Sequence, residues 1–89
     1  MSARLRVVVH GRVQGVGFRY TVRREAASRE VAGWIANRSD GSVEAVFEGG
    51  AEAVERMAEL CRRGPRGASV DRVDETPEEP EGLSGFEVR

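Results

Sequence analysis

Apolar residues alternate from Leu5 through Val7 to Val9, and this β-branched pattern predicts a first strand with those three side chains on one face. After a glycine-rich stretch the spacing changes to four. Phe18, Val22 and Ala26 predict a helix over residues 19–30, poor in large apolar residues and therefore leaning on Phe18, Tyr20 and Val31 to reach the core. Residues 31–37 predict a second strand, and residues 42–48, with Val43, Ala45 and Phe47 alternating, a third. Between them Asp40 and Gly41 tolerate the backbone of a tight reversal, which predicts a hairpin. Beyond Gly49 and Gly50, the positions of Val54, Met57, Ala58 and Cys61 predict a second helix over 51–63. Glu52 in its first turn, Arg62 and Arg63 in its last, and Gly64-Pro65 beyond match the helix dipole and a stop signal. Residues 69–76 around Val70 and Val73 predict a fourth strand and residues 83–89 a short last one. The acidic, proline-punctuated run between them predicts an exposed loop or a ragged edge strand.

The order βαββαβ, with an extra terminal strand, predicts an α+β fold of the ferredoxin-like split βαβ kind: an antiparallel sheet carrying two helices on one face. At 89 residues the chain is expected to form a single domain over 1–89. Many functions share that architecture, so the chemistry has to come from particular residues.

Composition narrows the choices. No stretch approaches the roughly 20 consecutive apolar residues of a membrane span, and the N-terminal residues lack the pattern of a signal peptide, so no membrane association and a cytoplasmic location are expected. The single Cys61 has no internal partner, and one Cys with one His makes a structural zinc site implausible; no metal and no cofactor are expected. Fourteen basic and fifteen acidic residues give a net charge of −1, without the basic signature of most nucleic-acid-binding domains. Any anion site must therefore be local. All fourteen basic residues are Arg, which removes mechanisms that need a lysine.

The segment Gly11-Arg-Val-Gln-Gly-Val-Gly-Phe-Arg19 offers such a site. A loop that leaves a strand and enters a helix exposes unpaired backbone N–H groups, and glycines let these approach an anion closely. The spacing fits neither a Walker A loop nor a dinucleotide fingerprint, and taken alone it also suits a plain turn. Arg19 changes the balance. A cation in the first turn of a helix opposes the dipole at a cost of up to about 1 kcal/mol unless an anion joins them. A phosphate would remove the conflict, its oxygens held by the guanidinium fork and the loop amides.

With these residues in place, the chain resembles the acylphosphatase family. Gly11 to Arg19, Gly33-Trp-Ile-Ala-Asn37, Asp40-Gly41-Ser-Val-Glu44, Arg63-Gly-Pro65, Val70-Asp-Arg-Val73 and Ser84-Gly-Phe-Glu-Val carry the resemblance across nearly the whole chain. It implies that Arg19 is the phosphate-binding catalytic arginine and that Asn37 positions the attacking water. It also implies that Gln14, Gly15, Val16, Gly17 and Phe18 supply a cradle of main-chain N–H groups. The implied reaction is cofactor-free and metal-free hydrolysis of acyl phosphates, small molecules, to a carboxylate and phosphate. A monomer is the expected state. The rival reading is a non-catalytic module of the same fold that holds phosphate or carbamoyl phosphate.

Two positions depart from the family. Arg29-Glu30 replaces a frequent Leu-Gly pair, and a Glu in a left-handed cap costs roughly 1 kcal/mol relative to Gly, which points to a different helix ending. Ala36 stands where many relatives carry a larger or basic residue. Elsewhere the simpler readings lead: His10 as a rim residue, Phe18, Trp34 and Phe47 as core, Cys61 as packing, and the acidic run from Asp71 to Glu81 as a solvated edge. Asn37, without Arg19, would read as a turn residue.

Overall fold

The computed structural model describes residues 2–89. Its elements follow the order β1 (Ser2–Arg12), α1 (Phe18–Ser28), β2 (Ala32–Asn37), β3 (Val43–Gly50), α2 (Ala51–Arg63), β4 (Ser69–Glu78) and β5 (Phe86–Val88). The sheet runs β4-β1-β3-β2-β5, and both helices pack on one face of it and against each other. Val7 and Val9 of β1, Val43, Ala45 and Phe47 of β3, and Val54, Met57 and Cys61 of α2 meet in the layer between helices and sheet. Cys61 is fully buried there, and burial pushes its thiol up to about 12.

The predicted antiparallel sheet needs one correction. β1, β2, β3 and β4 pair antiparallel, but β5 lies parallel to β2, with Gly33 opposite Phe86 and Ile35 opposite Val88. Topology explains this: β4 and β5 occupy opposite edges, so residues 79–85 must cross the helix-free face before the chain reaches β2. Phe86 stacks on Phe47 at 5.9 Å between ring centroids and anchors the short strand.

Glu48 of β3 secures the crossing. Its carboxylate, 5% exposed, accepts main-chain N–H bonds from Glu81, Gly82 and Leu83 at 3.0, 2.6 and 2.9 Å and an Arg4 Nη1 bond at 3.2 Å. The Glu81 N–H contributes most to holding the carboxyl well below its ordinary 4.5, at about 2. Since the folded value is the lower one, this stabilisation is complete above about pH 4.5 and is lost as the pH falls toward 2. Thermal midpoints measured across that window should fall steeply for the native chain. For Glu48→Gln they should start lower and fall less; parallel curves would show that this carboxylate carries no acid sensitivity.

Several sequence expectations change on this open face and at the helices. Trp34 is not core: it is half-buried between the guanidinium groups of Arg89 and Arg6, 4.7 and 5.6 Å from its ring centroid. Nor is the acidic run merely solvated. Glu78 accepts from Arg4 Nε at 2.9 Å and Arg6 Nε at 2.8 Å, and Glu75 takes a two-pronged bond from Arg62 of α2 at 2.6 and 2.7 Å. On α1, Phe18, Val22 and Ala26 are buried as their spacing predicts, whereas Tyr20 is 63% exposed and does not reach the core. Helix α1 also keeps the ending that its sequence argued against. Val31 donates to Ala26 O at 2.8 Å and Glu30 to Ala27 O at 3.3 Å, with Glu30 left-handed at φ 55°.

Candidate active site

The loop between β1 and α1 owes its shape to two glycines. Gly15 and Gly17 have φ of 73° and 78°, while a side chain at either would meet nothing within 4 Å. The requirement is thus one of backbone conformation, which only Gly adopts without strain. Gly17 is the N-cap of α1 and offers no side-chain acceptor, and no acidic residue lies in the first helical turn. The helix therefore begins with its N–H groups uncapped by any side chain, and Arg19 stands in that first turn.

Asn37 ends β2, and the hairpin beyond it is tightly specified. Arg38 N–H donates to Ser42 O at 2.9 Å, and Gly41 N–H to Arg38 O at 3.1 Å. Asp40 Oδ1 accepts from Ser42 Oγ at 2.6 Å and Ser42 N–H at 3.0 Å, bonds that hold its carboxyl below the ordinary range.

Gly15, Gly17, Phe18, Arg19 and Asn37 line a single cavity of about 300 Å³. Two members of the expected cradle, Gln14 and Val16, do not line it. Val16 packs on the core, and Gln14 Nε2 turns to the hairpin, donating to Arg38 O at 2.7 Å and Ser42 O at 2.9 Å. The Gln14 side chain thereby ties the loop to the strand end that carries Asn37, a role its spacing did not suggest. Arg19 is half-buried, and its Nη1 donates to the main-chain oxygen of Arg89 at 3.0 Å. Its remaining N–H groups are free to serve a ligand.

Tyr20, Arg23, Val13 and Val88 complete the lining. None of the four is among the site residues expected from the sequence. For Arg23 a signal existed, since a residue four after Arg19 on a helix shares its face. Val88 gave none, because its place depends on the parallel docking of β5. His10 lies apart from the cavity, with Nε2 3.0 Å from Asp74 Oδ2, and Ala36 is half-buried on β2 without joining the lining.

The arrangement offers an anion a helix start, left-handed glycines and a forked cation, and it places a neutral amide, Asn37, on the same cavity. A family model described as acylphosphatase matches residues 5–88. An acylphosphatase of Trichormus variabilis is 52% identical over 86 residues, covering 97% of this chain and 85% of the relative. One of Natronomonas pharaonis is 50% identical over 91 residues, covering 100% and 99%. The crystal structure of acylphosphatase from Bacillus subtilis matches with a TM-score of 0.93 at 40% identity, covering 100% of this chain and 99% of that one.

Proposed function

Because this chain belongs to the acylphosphatase family and is an enzyme of that kind, we propose that it hydrolyses acyl phosphates with Arg19 and the 14–19 loop holding the phosphoryl group and Asn37 aiming the water. The observation that carries this reading is the single cavity shared by Gly15, Gly17, Arg19 and Asn37.

An acyl phosphate already has a good leaving group, so catalysis consists mainly of fixing the phosphoryl group, spreading its charge and orienting the nucleophile. Arg19 and the loop N–H groups neutralise the phosphoryl oxygens and stabilise them further as charge redistributes in the transition state. The Asn37 side-chain amide holds a water, whose oxygen attacks phosphorus as the bond to the carboxyl oxygen breaks. The carboxylate departs with the electron pair, and the water's proton passes to a phosphoryl oxygen, so no protein base is required. Residues 1–89 act here as one domain.

The test is hydrolysis of benzoyl phosphate by the purified chain without added metal. Saturable turnover with competitive inhibition by inorganic phosphate is expected. Saturable phosphate binding without turnover would replace the enzyme reading with that of a binding module.

A further inference from the structure

Arg23 lies one turn beyond Arg19 on α1 and lines the same cavity as Arg19 and Asn37. It also lines two adjoining hollows, one beside Tyr20 and Arg24, the other beside Leu83 and Phe86. The cavity therefore opens along the helix at Arg23, on the side away from the glycine loop. Other arginines nearby are engaged: Arg19 with Arg89 O at 3.0 Å, Arg29 with Glu25 at 2.9 Å, and Arg24 over the Tyr20 ring at 5.6 Å. Among the described residues no carboxylate reaches Arg23, and its side chain makes no hydrogen bond.

The cavity's 300 Å³ is about ten times the liquid volume of a water molecule, room for more than a phosphoryl group. Residues four apart on a helix have Cβ atoms about 5–6 Å from each other, so the guanidinium groups of Arg19 and Arg23 can address two anionic ends of one small molecule.

We propose that Arg23 is a specificity-determining residue that selects acyl phosphates whose acyl group carries its own negative charge. The proposal rests on the acyl-phosphate reading above. The phosphoryl end occupies the loop and Arg19; the second anion, a carboxylate or phosphate a few bonds beyond the anhydride, pairs with Arg23. Arg24, adjacent on the helix but outside the main cavity, supplies the control for a general loss of positive charge.

The test compares succinyl phosphate, with its distal carboxylate, and benzoyl phosphate, whose acyl group is neutral, on the native chain, Arg23→Gln and Arg24→Gln at low ionic strength. The ratio of kcat/KM for succinyl over benzoyl phosphate should fall about tenfold or more in Arg23→Gln, mainly through KM, as expected for the loss of a charge-assisted bond. In Arg24→Gln it should change less than about twofold. Added salt should narrow the native ratio. An unchanged ratio in Arg23→Gln, or an equal fall in Arg24→Gln, overturns the proposal while leaving the acylphosphatase reading intact. A native chain that turns over neither substrate overturns both.

Discussion

Replacing Arg19 by Gln is expected to lower kcat/KM for benzoyl phosphate by about 100- to 1000-fold, the scale on which a preorganised charge-stabilising donor contributes. The variant keeps an amide that can donate a hydrogen bond but loses the charge and the fork. Because the lost contacts serve bound phosphate as well as the transition state, inhibition by inorganic phosphate should weaken in parallel. Arg19 also donates to Arg89 O, so thermal melting has to accompany the kinetics. One hydrogen bond at a half-buried site is worth only about 1 kcal/mol, too little to unfold the chain. A folded Arg19→Gln with near-native turnover would remove the phosphate-binding assignment altogether.

Asn37→Ala should cost at least about 100-fold as well, but with a different signature. Asn37 is assigned to the water and not to the phosphoryl group, so the loss belongs in kcat, while phosphate inhibition stays close to native. The side chain is exposed at the end of β2, and removing it leaves no buried group unpaired. Stability should therefore change little. If phosphate inhibition weakened together with kcat, Asn37 would be a phosphate ligand and the water would need another holder.

Arg19 was readable as a candidate because its signal is local, whereas Asn37 alone read as a turn residue and entered only through the family resemblance. Arg19 contradicts the dipole of its own helix, and Gly15 and Gly17 flank Val16 just before it. Helix α2 was likewise readable to its ends, since its apolar stripe lies between Gly50 and Gly64. What stayed hidden depends on residues far apart in the chain. The alternating pattern placed the first strand at Leu5 to Val9, yet β1 reaches back to Ser2, with Arg4 and Arg6 received by Glu48 and Glu78, more than forty and seventy positions away. The parallel docking of a three-residue strand leaves no periodicity, and Val88 entered the cavity unannounced for that reason. Trp34 misled because an aromatic on a strand suits a core and an arginine stack equally well. Gln14 hid its role for a further reason: its partners are main-chain oxygens, which no sequence spells out.

Cys61 gives the fold a property of practical use. The chain's one sulfhydryl is sealed inside α2's packing face, and burial keeps it far from the thiolate form at neutral pH. Consumption of a thiol-reactive dye then counts chains whose interior has come apart. The protein carries its own clock for opening, one mark per molecule, with no label added.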